Sequence, residues 1–578
     1  MSLFTAASIL IILTGWTLLV YSSIFSTSFF KVTQTFITYW SVLIAVSLVS
    51  FLFKFGIINI LDVHIPSAYN YTQTLNLKWF LESQIVISLD VNNLFYILTI
   101  SIISIFANYH SRLYMLTDQK RERFVLLLNS FALAMVSLVL TKNLIIILLC
   151  WELLGITSFF LINHNDTQTS SIKAAMKAIT YNRTSDILLL VAVCLFNYIT
   201  SSMNVTPESL ETLRNSNALF TPFYNINILL LFVFLASSIK SVQFFSHMWL
   251  PDSMKAPTPA SALIHSATLV AAGFYVFLVF KDTFFLFWGT TVFTVVGLLT
   301  AIFGAICAVY QDDIKKLLAF STVANCGFML TLISAYDIRL FLLYFTVHGV
   351  FKSACFMFSG NIIIEQQHLQ DTRFYQNMTS GRFINMSGII VTLLGLAGFP
   401  VTITYLLKHH YNVTPLPNYS WYLLDVFFAL YSALSMLYAL SLIYKLYFLP
   451  DLKKVIGDDF DARETLSNSF TNNIYSILSF AIASLMLPAF YHHMQLNSIS
   501  TGGAFYAYSI LGTLNFLFFI GVGIYFKICA FNPDDWTELV AFVELTIFVF
   551  AFHIFYHITL SVIGGLNWIW EFIKSWFI

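Results

Sequence analysis

The sequence predicts an all-α polytopic membrane protein of about 15–16 transmembrane helices, and three observations carry that reading. The 578 residues are 58% hydrophobic and only 10% charged, where a soluble domain carries about 25% charged residues. Mean hydropathy is +0.80. Apolar runs of about 20 residues, the length a spanning helix needs, recur along the chain with no soluble-sized insert between them.

Taken in order, the spans fall near 3–25, 36–58, 84–107, 124–141, 143–162, 175–200, 225–246, 260–280, 284–308, 317–336, 339–362, 384–405, 421–448, 472–493 and 505–530. The stretch MSLFTAASILIILTGWTLLVYSSIF carries no basic leader and reads as a retained first span. The last stretch, 536–578, is apolar all round and longer than one crossing. It is either a lateral helix kinked at Gly564–Gly565 or a sixteenth span. The polar stretches 59–83, 201–224 and 449–471 are too short to build their own cores.

Basic residues check this count through the positive-inside rule. Loops after odd-numbered spans carry 14 lysines and arginines, among them Arg112, Lys120, Lys255, Lys315 and Arg373, against 5 after even-numbered spans. The odd loops should face the matrix or cytoplasm and the N-terminus the opposite side. Basic and acidic residues balance at 28 each, which gives no signal for a nucleic-acid partner. The six cysteines all sit in apolar runs and form no CxxC pair, and there is no dinucleotide fingerprint or P-loop. The chain is therefore expected to hold no metal, cofactor or redox centre of its own.

The informative residues are ionisable ones inside apolar runs, where a charge at the bilayer centre costs roughly 2.5–3.5 kcal/mol on insertion scales. Glu152 stands in IIILLCWELLGITSFFLI, and Asp186 follows one span later beside Arg183 in YNRTSDILLLVAV. Lys240 ends LLLFVFLASSIK, and His265 lies in PASALIHSATLVAAGFY. His348 and Lys352 in LLYFTVHGVFKSACFMF share a helical face at i, i+4 spacing. Lys408 follows LLGLAGFPVTITYLLK, whose Gly395, Gly398 and Pro400 should interrupt the helix. Broken helices at mid-membrane accompany ion pathways, and a desolvated lysine suits proton exchange. Packing carboxyls, snorkelling lysines and buried packing histidines are the structural alternatives. Lys240 and Lys408 lie 168 residues apart, and the spans opening near 124 and 284 lie 160 apart, as a duplicated five-helix unit would give. The chain then divides into N-terminal helices 1–123, repeats 124–283 and 284–450, C-terminal helices 451–535, and the final helix 536–578.

The stretch HMWLPDSMKAPTPASALIHSATLVAAGFY at 247–275 resembles the antiporter-like membrane subunits of NADH:ubiquinone oxidoreductase (respiratory complex I), the chain 5 family in particular. It is also similar to the large subunit of multisubunit sodium/proton antiporters. CWELLGITSFFLI (150–162), YNRTSD (181–186), DDIKKLLAFSTVANCGFM (312–329) and HGVFKSACFMFSG (348–360) extend the likeness over roughly 85–530. The resemblance implies two inverted five-helix repeats around a central polar line. By motif, Glu152 would be the pairing glutamate and Asp186 its modulator, supported by Arg183. Lys240 would be the central lysine of the first half-channel, His265 and His348 connecting histidines, Lys352 the linking lysine and Lys408 the terminal lysine. His247 and His409 would be supporting residues.

Four positions depart from the family's pattern. Lys255 and Ala256 stand where a glutamate precedes GPTP. His409 and His410 follow Lys408 in place of an acidic residue. Tyr344 replaces a second histidine four residues before His348. Ile239 replaces a glycine before Lys240, so a break there would depend on Ser237 and Ser238.

The resemblance implies a proton-translocating subunit of an NADH:quinone reductase, driven by quinone reduction elsewhere. Its partners would be other membrane-arm subunits, chiefly the adjacent antiporter-like chain 4, with accessory subunits and lipids. FMN and iron–sulfur clusters would belong to other subunits of the parent complex. A stand-alone multisubunit cation/proton antiporter and a degenerate scaffold of the membrane arm are the alternatives. The 60 phenylalanines fit an AT-rich organellar genome. The expected location is the mitochondrial inner membrane, with the N-terminus in the intermembrane space.

Overall fold

The chain is described by a computed structural model over residues 14–20, 22, 29–54, 72–76, 84–88, 90–215, 226–288, 290–334, 338–366, 368–375, 380–398, 404, 407–408 and 421–447. The spans expected near 472–493 and 505–530, the helix expected at 536–578, and His409 lie outside these residues. All the described residues fall in one unit, formed by Met1–Phe399 with Ile403–Ile499.

The bundle begins with α1 (Phe29–Lys54), α2 (Val91–Tyr114), α3 (Arg121–Leu140), α4 (Leu144–Ile162), α5 (Thr169–Thr200) and the short α6 (Pro207–Asn215). It continues through α7 (Ile226–Lys240), α8 (Trp249–Asp252), α9 (Thr258–Ile264), α10 (Leu269–Phe287), α11 (Thr291–Val309) and α12 (Ile314–Ser334). It ends with α13 (Ile338–Glu365), α14 (Ser380–Ala397) and α15 (Trp421–Tyr447). Eight helices among the described residues are long and apolar enough to cross a membrane. The polytopic all-helical membrane fold read from hydropathy therefore stands.

Local chemistry explains where these helices stop and how closely they pack. Asn143 caps α4 by accepting hydrogen bonds from the Ile145 and Ile146 amides, satisfying donors that a helix start leaves open. Helices α11 and α12 meet backbone to backbone. A Cβ on Gly304 would lie 2.5 Å from the Ala324 nitrogen, and one on Gly327 would lie 2.5 Å from the Gly297 carbonyl oxygen. Only small residues allow such an approach, the usual device for joining helices in lipid. Helices α2 and α13 run parallel: Thr99 meets Thr346 at 3.2 Å and His110 meets Asn361 at 3.1 Å. Parallel packing is what two odd-numbered spans require.

Three expectations are corrected. The third span starts at Val91 and not near 84, because Gln84–Ser88 pairs with Thr72–Asn76 as a two-stranded antiparallel hairpin, Thr72 opposite Ser88. The alternating QIVIS run has strand periodicity. The seventh span ends at Lys240, short of 246. The Gln243 amide reaches the Ser238 carbonyl at 3.0 Å and Val242 takes φ 60°. That is a Schellman ending with valine where glycine is usual. The eighth span is broken between Ile264 and Leu269. There Ser266 and Thr268 hydroxyls donate to the Ala262 and Leu263 carbonyls at 2.5 and 2.7 Å, competing with the helix's own amides.

On the face carrying the odd-numbered loops, charged residues latch α15 to two loops. Lys445 pairs with Asp312 at 2.9 Å, and Arg373 pairs with Asp371 at 2.6 Å and Asp312 at 3.5 Å. The Ile314 amide donates to the Gln370 carbonyl and the Thr372 amide to the Asp312 carbonyl, both at 3.0 Å. Hydrogen bonds from Arg373 hold the Asp371 carboxyl below the usual carboxylate range. A carboxylate depressed in the fold stabilises it above the unfolded value and loses that contribution as pH falls through the folded value. Hydrogen exchange at the Ile314 and Thr372 amides, corrected for intrinsic rates, should therefore speed up as pH falls below about 4. Arg373→Ala should remove most of that pH dependence; an unchanged profile in the variant would show that Asp371 does not govern the latch.

Candidate functional site

Each ionisable residue singled out from sequence and described in the structure can be placed, and Asp186, Lys240, His265, His348, Lys352 and Lys408 are all buried. Lys240 is fully buried at the end of α7. Its ammonium donates to the Trp151 carbonyl at 2.7 Å and lies 4.9 Å from the Trp151 ring centroid. Its nearest carboxylate is Asp186 at 3.8 Å, not Glu152. Arg183 sits between the two acids, 3.4 Å from Asp186 and 3.9 Å from Glu152. The family resemblance implied Glu152 as the pairing glutamate; here Asp186 lies nearer to Lys240, and Glu152 approaches it through Arg183. Charge balance around Lys240 is then held by two acids and one guanidinium on α4 and α5.

The scaffold behind Lys240 is polar and interlocked. Trp151 donates through Nε1 to Ser185 Oγ at 3.2 Å, and Ser185 donates to the Ala236 carbonyl at 2.9 Å. A Cβ on Gly273 would meet the Ser237 carbonyl oxygen at 2.5 Å and the Ser241 nitrogen at 2.8 Å. Gly273 thus lets α10 seat against the residues where α7 breaks.

His265 occupies the break between α9 and α10, fully buried, with Nε2 3.4 Å from Ser253 Oγ. Lys352, His348 and Lys315 are the titratable groups close enough to act on it electrostatically. Lys352 is fully buried and donates to Ser321 Oγ. His348 lies one turn away, buried, with both ring nitrogens lacking a protein partner. Lys408 is buried too. It donates to the Ala397 carbonyl at 2.7 Å and Ser435 Oγ at 3.0 Å, and lies 4.5 Å from the Tyr431 ring centroid. Helix α14 ends at Ala397, and Gly398 adopts φ 87°. The break expected around Gly398 thus supplies the carbonyl that holds the lysine.

The two end lysines have matching surroundings. Each donates to a main-chain carbonyl and lies over an aromatic ring. Several buried polar atoms of the same bundle accept or donate no hydrogen bond within the protein: the Asn182 amide, Ser237 and Ser238 Oγ, Gln243 Oε1, His265 Nδ1, the His348 ring and, beyond their ion pairs, the Asp186 carboxylate oxygens. Buried polar groups are nearly always hydrogen-bonded, and space lined by such atoms is the kind that holds water.

His247 is only partly buried. It packs against Phe244 and Phe303 and meets the Phe244 carbonyl at 2.5 Å. Lys255 is exposed. The sequence reading overlooked Trp151, Ser185, Ser253, Ser321, Asn325, Tyr431 and Ser435. One signal was available: Ser321 with Asn325, and Tyr344 with His348 and Lys352, repeat at intervals of four, each a polar stripe on one helical face. Among the described residues no group of three or more His, Cys, Asp or Glu side chains is placed to hold a metal ion.

A multi-helix bundle that breaks its helices beside buried lysines is built as secondary ion transporters are built. The family described as NADH:quinone oxidoreductase/Mrp antiporter, TM, matches residues 141–435, and the chain belongs to this family of antiporter-like membrane subunits. NADH-ubiquinone oxidoreductase chain 5 of Paramecium tetraurelia is 34% identical over 438 residues, 71% of this chain and 74% of that one. Chain 5 of Mus musculus is 36% identical over 293 residues, 50% of this chain and 46% of the relative. Among solved structures, a chain of the Mrp complex from Dietzia sp. DQ12-45-1b superposes with a TM-score of 0.67 at 19% identity, covering 95% of this chain and 59% of that one. A chain of the archaeal membrane-bound sulfane sulfur reductase superposes with a TM-score of 0.68 at 16% identity, covering 85% and 96%. These two likenesses concern the fold.

Proposed function

We propose that this chain is a proton-translocating membrane subunit of a respiratory NADH:quinone oxidoreductase, driven by quinone reduction in other subunits. The observation that carries the reading is the burial of Asp186, Lys240, His265, Lys352, His348 and Lys408 in one helical bundle, which we read as a line running in that order. Burying three lysines is expensive, and such groups persist at membrane depth chiefly where they move ions. A change in the electrostatics around Glu152 and Arg183 alters how firmly Asp186 holds the Lys240 proton. The released proton passes by His265, Lys352 and His348 to Lys408. Moving one charge against the membrane potential costs about 2.3 kcal/mol per 100 mV. A two-unit change in a lysine's proton affinity supplies about 2.7 kcal/mol.

The matching surroundings of Lys240 and Lys408 support a division into repeats 124–283 and 284–450. The Glu152 and Arg183 side chains are each 40% exposed on α4 and α5, among exposed Leu149, Ile156 and Ile187. Charges at membrane depth turned outward call for a polar protein neighbour and not lipid, which supports the adjacent antiporter-like chain 4 as the partner. The eukaryotic relatives support the mitochondrial inner membrane, and the basic-loop asymmetry supports an N-terminus in the intermembrane space. FMN and iron–sulfur clusters would reside in other subunits.

Gentle detergent extraction and native electrophoresis with an in-gel NADH dehydrogenase stain test the reading. Migration in a very large band that oxidises NADH is expected. A smaller assembly without that activity would favour a multisubunit cation/proton antiporter. An NADH-oxidising assembly whose proton yield survives loss of Lys240 would favour a scaffold of the membrane arm.

A further inference from the structure

Between Lys352 and Lys408 the structure sets two buried phenols against one amide. Tyr344 donates to Asn325 Oδ1 at 2.5 Å, and Tyr431 donates to the same oxygen at 3.1 Å. The amide's orientation is fixed, because Asn325 Nδ2 donates to the Ser321 carbonyl at 2.6 Å. Ser321 in turn accepts from Lys352 through its hydroxyl. Phe328 stacks on Tyr431 and meets Tyr344 edge-on, closing the cluster. Tyr344 lies one helical turn from His348 on the same face, and the Tyr431 ring lies beneath the Lys408 ammonium. The cluster thus spans the stretch between the connecting histidine and the terminal lysine.

A phenol can relay a proton, accepting one at its oxygen while releasing its own. An amide oxygen cannot, since it accepts hydrogen bonds but does not exchange protons near neutral pH. With both phenolic protons aimed at Asn325 Oδ1, neither phenol can hand its proton onward. We infer that Tyr344 and Tyr431 carry protons between His348 and Lys408, and that Asn325 is the positioning residue that keeps this junction shut at rest. Opening requires both O–H groups to turn away from Asn325, that of Tyr344 towards Tyr431 and that of Tyr431 towards Lys408. Tyr344 then takes a proton from His348 and gives its own to Tyr431, which gives its own to the neutral Lys408 amine. Each phenol ends as it began, and one proton has moved. The inference rests on the proposed line, but its first test needs no NADH.

The assay uses the whole assembly in sealed vesicles. It follows the decay of an imposed pH gradient with the enzyme idle, then the protons moved per NADH oxidised. Asn325→Leu should raise the idle proton leak several-fold, while Asn325→Gln, which keeps the amide, should restore most of the seal. Adding Tyr344→Phe to Asn325→Leu should return the leak to the wild-type level. A packing defect would not be repaired by removing a second polar group. An unchanged leak in Asn325→Leu, or a leak that survives Tyr344→Phe, overturns the inference. Should Asn325→Leu fail to assemble, Tyr344→Phe alone decides: protons moved per NADH should fall with the idle leak unchanged, and an unaltered ratio overturns it. Loss of NADH-driven movement in the wild type would count against the proposed function, while the idle-leak results would still judge the clamp.

Discussion

Lys240→Met is expected to yield an assembled complex that oxidises NADH but moves no proton through this chain. Methionine is unbranched like lysine and only one atom shorter, so the space beneath Trp151 stays largely filled. Asp186 keeps Arg183 at 3.4 Å, which limits the several kcal/mol that stranding a buried charge would otherwise cost. What disappears is the buried amine at the end of α7, which can take up and release a proton. Lys240→Arg separates charge from exchange. A guanidinium keeps its proton at any working pH, so this variant should pair with Asp186 and still fail to pump. Protons moved per NADH in reconstituted vesicles provide the reading. A wild-type ratio in Lys240→Met would remove Lys240 from the pathway, and a wild-type ratio in Lys240→Arg would show that only its charge matters.

The largest expected effect on stability is at Gly327. A Cβ there would collide with the backbone of Ala301 and with the Gly297 carbonyl oxygen. Neither can yield as a flexible side-chain tip yields. Gly327→Leu must therefore pry α11 and α12 apart, at a cost of about 3 kcal/mol or more. It should also displace Ser321 and Asn325, which share α12 with the glycine. Little of the variant should reach the assembled state, as read by native electrophoresis. Gly395→Ala serves as the contrast, since its Cβ would lie 3.1 Å from the edge of the Phe351 ring, a side chain that can move. Equal assembly of Gly327→Leu and wild type would mean that α11 and α12 do not depend on this contact.

The elements that hydropathy reveals were the ones most readable in the sequence. Apolar runs fixed the spans to within about seven residues from α3 to α5 and from α11 to α13, because burial in lipid or protein demands apolar length whatever the partner. Isolated charges likewise marked Lys240, His265, His348, Lys352 and Lys408, since desolvation makes each expensive. Breaks were legible where glycine and proline announce them, as at Gly398. They were hidden where serine and threonine hydroxyls do the work, as at Ser266 and Thr268, because those residues are also tolerated inside helices. Pairings were the least readable. Glu152 and Asp186 are equally acidic in the sequence, and only the packing of α5 on α4 and α7 decides that Asp186 meets Lys240. Main-chain carbonyls such as those of Trp151 and Ala397 leave no trace in the sequence at all. Neither does the convergence of Tyr344 and Tyr431 on Asn325, three positions on three helices.

The outward-turned Glu152 and Arg183 bear on the life of the chain before it finds its neighbours. Inserted alone, it would present an acid and a base to hydrocarbon at a depth where each costs a few kcal/mol. Docking of a polar-faced partner removes that penalty, so the lone chain is the less durable species. Its abundance should then follow the supply of its partner, with surplus copies cleared by membrane proteases and not stored. A pulse of synthesis with partner expression blocked should show a shortened half-life. Making that surface apolar, by Glu152→Leu with Arg183→Leu, should lengthen the life of the orphan while impairing its entry into the complex.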